Sequence, residues 1–270
     1  MLNCDKLKLK TMKYLNFCCI ALLTSCSSSD KAPQMSGTYL MESQTINYDN
    51  KDNKYTDLKQ LKIYTDHFMM YVQLNPADSV SAFGVGSYTS DTSGIIENII
   101  FSSHGSVIDS THPSFPLNIT TTADGYNQFI PEITIAGQKS KLTEIYHKVG
   151  TDVESPLDGV WREVDSYGIQ GDDSTRYNRI QYKAFYKGYF MFGNSVADSS
   201  SARHTGIGFG TFVPDGDNKI SETDLNSSYP VIAGHTFSVA YELSGPDHYK
   251  QTITNADGSK SVELYERLKK

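Results

Sequence analysis

The chain has 270 residues, 38% of them hydrophobic and 20% charged, with 24 Lys and Arg against 31 Asp and Glu for a formal net charge of −7. That balance excludes nucleic acid as a partner, because a phosphate backbone demands clustered positive charge, and it suits a soluble exported domain. All four cysteines, Cys4, Cys18, Cys19 and Cys26, precede residue 27, so the remainder holds no disulfide, thiolate metal site or Cys nucleophile, and a chain of this length buries a core without staples.

The N-terminal segment carries Lys6, Lys8, Lys10 and Lys13, followed by an apolar run from Tyr14 to Leu23. The run is shorter than the roughly 20 residues a membrane-spanning helix needs, and with its basic flank it reads as a secretory signal. Leu23-Thr24-Ser25-Cys26 resembles the lipobox of bacterial lipoproteins, in which the Cys becomes the lipidated first residue. The resemblance implies a signal peptide over 1–25, lipid attachment at Cys26, and anchoring to the outer membrane of a Gram-negative cell, on either face. The alternative is an ordinary signal peptide in which the Cys is incidental. Met12 also offers a start. Beyond residue 25 the chain keeps 20 basic and 30 acidic side chains, a net of −10.

Residues 26–35 form a Ser-rich, apolar-poor tether expected to be disordered. Two stretches of one plan follow. The first runs from Gly37-Thr38-Tyr39 to Glu144-Ile145-Tyr146-His147-Lys148, the second from Gly159-Val160-Trp161 to Glu263-Leu264-Tyr265-Glu266-Arg267. Phe68-Met69-Met70-Tyr71 aligns with Tyr189-Phe190-Met191-Phe192, and Gly86-Ser87-Tyr88 with Gly210-Thr211-Phe212. Both ends and the middle correspond, which predicts an internal duplication: one domain over 36–149, a linker over 150–156 and a second domain over 157–270.

Within each stretch the apolar pattern has period two, with no long segment of helical period. Strands are predicted near 37–46, 60–64, 68–73, 83–89, 95–101, 117–122, 128–135 and 141–149. In the second stretch they fall near 159–168, 179–185, 189–192, 206–213, 220–225, 236–243, 249–254 and 261–268. Turn residues such as Asp91-Thr92-Ser93-Gly94 and Pro214-Asp215-Gly216-Asp217 separate them. Eight short strands joined by tight turns predict an all-β, antiparallel up-and-down meander closed into a barrel, which leaves no exposed sheet edge.

The Gly-x-Trp opening at Gly159 and Trp161, its weaker form at Gly37 and Tyr39, and a basic residue on each last strand resemble the lipocalin-like (calycin-type) domains of bacterial lipoproteins. The resemblance implies two tandem eight-stranded lipocalin-like barrels, each closed at one end by a basic side chain laid over the first-strand aromatic: Arg267 over Trp161 and Lys148 over Tyr39. These four residues are then structural. A guanidinium on an indole gains about 0.5–2 kcal/mol, and Lys over Tyr is the weaker version.

No motif carries catalysis. No two of the seven histidines stand at the i, i+4 spacing of a helical zinc site, and no Ser sits in a Gly-x-Ser-x-Gly elbow. His104, His112 and Asp109 share a loop that reads as solvated. Gly206-Ile207-Gly208-Phe209-Gly210 opens a strand rather than a helix, so it is no phosphate cradle. Asp215-Gly216-Asp217-Asn218 lacks the later acceptors of a calcium loop and reads as a hairpin turn. Glu144 and Glu263 are expected on a half-exposed strand face. Asp78-Ser79-Val80, Asp109-Ser110-Thr111 and Asp173-Ser174-Thr175 resemble O-glycan acceptor triplets of some Gram-negative envelope proteins.

Binding rests on the 12 Phe and 18 Tyr. Phe68, Met70, Tyr189 and Met191 are expected to line the barrel interiors, which at eight strands are wide enough for one small ligand or are filled by side chains. The expected function is that of a non-catalytic envelope lipoprotein without cofactor or metal, held to the membrane through Cys26. It would bind a small apolar molecule, a glycan or a protein partner. A structural or assembly role with filled barrels is the alternative. Specificity is expected in the loops that differ between repeats, 75–81, 102–115 and 195–203.

Overall fold

A computed structural model of the chain describes residues 32–103, 113–135, 137–199 and 202–270. Cys26, His104, His112 and the Asp109-Ser110-Thr111 triplet lie outside the described residues. The first nine strands are β1 (Gly37–Tyr48), β2 (Lys51–Tyr55), β3 (Lys59–Tyr64), β4 (Phe68–Asn75), β5 (Val80–Asp91), β6 (Gly94–Ser102), β7 (Ser114–Thr121), β8 (Gly125–Ile135) and β9 (Gln138–Val149). The second nine are β10 (Gly159–Gln170), β11 (Asp173–Arg176), β12 (Arg179–Tyr186), β13 (Tyr189–Ala197), β14 (Arg203–Pro214), β15 (Lys219–Ser227), β16 (Thr236–Leu243), β17 (His248–Thr254) and β18 (Lys260–Arg267).

Each set forms one antiparallel sheet closed on itself. β1 meets β3 from Gly37↔Tyr64 to Leu40↔Leu61 and β9 from Thr38↔Val149 to Asn47↔Lys141. In the second sheet β10 meets β12 and β18 in the same way. The result is two eight-stranded up-and-down barrels, each with one extra strand. That strand, β2 or β11, pairs only with the far half of β1 or β10. It is exposed along nearly its whole length, so no alternation of apolar and polar residues marked it in the sequence.

The two barrels share a core. Leu61, Ile63, Phe68, Met70, Val72, Phe83 and Val85 of the first pack with Tyr182, Ala184, Met191, Ile207 and Phe209 of the second. Phe101 lies against Tyr182 at 5.8 Å between ring centroids. Strands β3–β5 and β12–β14 are therefore buried on both faces, one toward their own barrel and one toward the neighbour. Ser81 Oγ donates to the Thr205 carbonyl (2.7 Å) near the starts of β5 and β14. Thr38 Oγ1 donates to the Tyr186 carbonyl (3.1 Å) near the start of β1 and the end of β12. The barrels thus lie side by side with corresponding ends on the same side.

One end of each barrel is closed by aromatics. Tyr39 meets Tyr126 edge-on at 4.8 Å and Tyr126 stacks on Tyr146 at 4.8 Å. Trp161, Tyr249 and Tyr265 repeat the arrangement at 4.7 and 4.6 Å. Tyr39 Oη donates to the Met35 carbonyl (3.0 Å) and Trp161 Nε1 to that of Leu157 (2.7 Å). Met35, the last residue of the expected tether, is buried beneath the first barrel. The 150–156 connection is docked as well: Thr151 N donates to the Lys187 carbonyl (2.9 Å) and Glu154 pairs with Lys187 Nζ (2.8 Å).

Candidate functional site

Inside each barrel, above the aromatic floor, lies a polar layer built from the same residue types at the same places. In the first barrel Lys62 on β3 pairs with Glu97 on β6 (2.7 Å) and donates to Gln128 on β8 (3.2 Å). Gln128 Nε2 and Tyr146 Oη donate to Glu144 on β9 (2.8 and 2.9 Å). Gln60 donates to Tyr146, and Tyr64 to Glu97. In the second barrel Lys183 pairs with Glu222 (2.6 Å) and donates to Gln251 (3.1 Å). Gln251 and Tyr265 donate to Glu263 (both 2.6 Å), and Gln181 donates to Tyr265 (2.6 Å).

The alternation of each strand requires this layer: a residue on the inward face cannot reach water, so a charge placed there must be paired and hydrogen-bonded. Lys62 and Lys183 are 3% and 2% exposed. Glu144 and Glu263, expected on a half-exposed face, are buried and central to the network. That correction follows from their inward-facing positions beside Gln128 and Gln251, their direct partners on the neighbouring strands β8 and β17. Side chains from facing strands meet through these bonds, so the polar layer crosses each barrel's interior.

The layer was missed in the sequence because Gln, Lys and Glu at period two read as a solvent face. Its signal was available in the duplication. Gln60-x-Lys62 recurs as Gln181-x-Lys183, Glu97 as Glu222, Tyr126-x-Gln128 as Tyr249-x-Gln251, and Glu144-x-Tyr146 as Glu263-x-Tyr265. Repeated polar residues on a periodic face mark a buried network as readily as a wet one.

The residues expected to line the interiors do not. Phe68, Met70 and Met191 belong to the core shared between the barrels, and Tyr189 packs against it. Their neighbours Met69 and Phe190 point inward. A run that is apolar on both faces has no alternation to tell inside from outside, and a shift of one residue inverts the assignment. The residues expected at barrel closure lie at the aromatic end: Lys148 Nζ is 5.9 Å from the centre of the Tyr39 ring, and the Arg267 guanidinium 4.0 Å from that of Trp161. Arg267 also donates to the carbonyls of Pro156 (2.8 Å), Pro246 (2.9 Å) and Asp158.

At the opposite, open ends the repeats diverge. The first barrel places apolar Met41 and Leu58 there, both buried. The second places Glu163 and Arg179 at the corresponding positions, joined by three hydrogen bonds (2.7, 3.1 and 3.2 Å), with Glu263 also paired to Arg179 (2.7 Å). The Arg179 guanidinium lies 5.1 Å from the centre of the Tyr177 ring. Burial pushes the carboxyl of Glu163 up and Arg179 opposes it. Burial likewise raises Glu263, but Arg179, Lys183 and the Tyr265 hydroxyl outweigh it and hold that carboxyl below its ordinary value. Asp224, where the first barrel has Ile99, is pushed up to about 7 by burial and then by the charge of Glu222, with Lys183 opposing.

Four tyrosines stand half-exposed on the open ends: Tyr48, Tyr55, Tyr177 and Tyr229, at 38–41%. Residues 75–81, 195–199 and 202–203 lie at the same ends, and residues 200–201 fall outside the described residues. A separate cleft of ≈ 630 Å³ sits at the closed end of the first barrel, lined by Tyr39, Asp124, Lys148, Thr151 and Lys187 among others. Among the described residues no group of three or more His, Cys, Asp or Glu is arranged to hold a metal ion. A scan against protein-family models finds no match for this chain, and a search of curated proteins finds none.

Proposed function

We propose that the protein is an exported, non-catalytic lipoprotein of tandem lipocalin-like barrels. It is anchored through Cys26 to the outer membrane of a Gram-negative cell and presents its open ends to a protein or glycan partner. The observation that carries this reading is the polar layer. Each barrel's lysine, glutamates and glutamines satisfy one another, so the barrel is a filled scaffold and its binding surface is its rim. Tyrosine suits such a rim, since its ring supplies contact area and its hydroxyl a hydrogen bond. Tyr48 and Tyr55 lie on the β1–β2 pair, and Tyr177 follows β11, the counterpart of β2 in the second barrel. The carboxylates of the polar layer, Glu97, Glu144, Glu222 and Glu263, are each bonded to internal partners.

The test has two arms. Cys26→Ala should move the protein from the membrane to the soluble fraction; persistence in the membrane refutes the anchor. The combined Tyr48→Ala, Tyr55→Ala and Tyr177→Ala variant should lose at least tenfold of its cross-linking to envelope components, with its circular dichroism unchanged. An apolar molecule retained inside the purified native protein by mass spectrometry would overturn the filled-scaffold reading.

A further inference from the structure

The mouth of the second barrel contains a slot occupied by one of the chain's own side chains. Between β15 and β16 the segment 228–235 forms a strap fixed at its two ends, Ser228 N to the Ile207 carbonyl (3.0 Å) and Gly234 N to that of Asp224 (2.7 Å). Its crest is exposed, Val231 at 82%, but Tyr229 turns back into the barrel. The phenol lies across Gly206, where any Cβ would come within 1.9 Å of its hydroxyl oxygen. It stacks with Phe192 (6.4 Å between centroids, 18° between planes) and donates to Asn194 Oδ1 (2.8 Å). Two residues along β14, the bare Cα of Gly208 leaves room for the edge of Phe192 and for Asp224 Oδ1.

Asp224 is 4% exposed, yet its Oδ1 accepts no hydrogen bond. A buried acceptor left unpaired costs about 1–3 kcal/mol, and the first barrel avoids that cost with Ile99. The surrounding charge is unbalanced too. Among the described residues, Glu163, Glu222, Glu263 and Asp224 face Arg179 and Lys183 as their cations. The slot therefore offers a flat aromatic wall, an amide acceptor and, deeper in, a carboxylate oxygen in surplus negative charge. An aromatic ring beside a carboxylate is the chemistry that recognises an organic cation.

We propose that this slot binds a small flat-ringed organic ammonium, which enters when the strap carries Tyr229 out. The ligand's ring replaces the phenol against Phe192, and its ammonium donates to Asp224 Oδ1, completing the bond that the tyrosine cannot make. Gly206 and Gly208 provide the room. Pivoting of the strap between Ser228 and Gly234 provides the gate, and Gly234 already has a backbone φ of 78° that favours glycine. The inference goes beyond the rim reading, and its failure leaves the partner experiment untouched.

The test titrates the full-length protein with tyramine and with p-cresol, the same phenol without the ammonium, by calorimetry at pH 6. Tyramine is expected to bind saturably and at least tenfold more tightly than p-cresol. Proton release should accompany it and be seen as a dependence of the heat on the buffer, because Asp224, with Glu222 and Lys183 as its charged neighbours, gives up a proton to meet the ammonium. Tyr229→Gly should bind tyramine at least tenfold more tightly than the wild type, and Asp224→Asn should lose the preference over p-cresol. Equal affinity of the wild-type protein for the two probes, or no detectable binding of tyramine, overturns the proposal without reference to either variant. Unchanged affinity in a folded Tyr229→Gly protein also overturns it.

Discussion

The two barrels contain a ready-made substitution experiment at their open ends. Replacing Arg179 by Leu, the residue of the first barrel, removes a guanidinium bonded to Glu163 and Glu263. Glu263 keeps Gln251 and Tyr265 (both 2.6 Å), but Glu163 loses its only cation and retains just Ser166 (2.8 Å) and Gln181 (2.9 Å). Breaking a buried pair from one side costs about 3–5 kcal/mol. Glu163→Met alone leaves Arg179 bonded to Glu263 and should cost less, about 1–3 kcal/mol. The double variant Glu163→Met, Arg179→Leu supplies the two apolar residue types that the first barrel buries there as Met41 and Leu58 and should lie within about 2 kcal/mol of wild type, because well-packed apolar residues replace buried ion pairs at little cost. Urea unfolding followed by fluorescence reads the result: Trp161 is the chain's one tryptophan and is fully buried in the same barrel. In Arg179→Leu the carboxyl of Glu163, already raised by burial, rises further above its unfolded value. Its stability penalty should then grow from pH 5 to pH 8. A double variant as unstable as Arg179→Leu alone would refute the reasoning.

The closing cations should differ in weight. Arg267→Ala, which loses the contact with Trp161 and three carbonyl partners, should cost about 2–4 kcal/mol. Lys148→Ala, at 5.9 Å from Tyr39 and largely exposed, should cost under about 1 kcal/mol; thermal melts compare them. For Asp224, raised from 3.8 to about 7 mainly by burial, the native state holds its proton while the unfolded chain releases it, so this group's contribution falls as pH rises from about 4 to 7. Asp224→Asn should therefore gain about 1–3 kcal/mol over wild type at pH 8, and the gain should vanish toward pH 4 in melts across that range. The shared core predicts that residues 32–149 expressed alone expose Leu61, Ile63, Met70, Phe83 and Val85 and associate or precipitate in size-exclusion chromatography. A monodisperse isolated barrel would contradict that packing.

Much of the architecture was legible because it depends on local periodicity and on repetition. Alternation at period two set the strands, turn residues separated them, and the matching ends of the two repeats marked where each barrel closes. The half-buried first strands, with Tyr39 and Trp161 facing inward, follow from that pattern. The β2 and β11 hairpin strands did not, since nothing apolar holds either face.

The candidate site was less legible, for two reasons that share a physical origin. Glu144, Glu263, Lys62 and Lys183 lie on an inward face that their own chemistry disguises as an outward one, and only the partners that neighbouring and facing strands bring to them make burial tolerable. Phe68, Met70 and Met191 lie on an outward face that a second barrel covers, so both sides of their strands read as core. By itself the sequence determined a duplicated all-β meander and the places where each copy begins and ends, because strand period and turn chemistry act between near neighbours. Which side of each strand faces the barrel interior, which charges are buried and paired, and where Tyr229 seats were decided by the tertiary structure alone, because those outcomes depend on groups brought together only when each sheet closes and the two barrels pack.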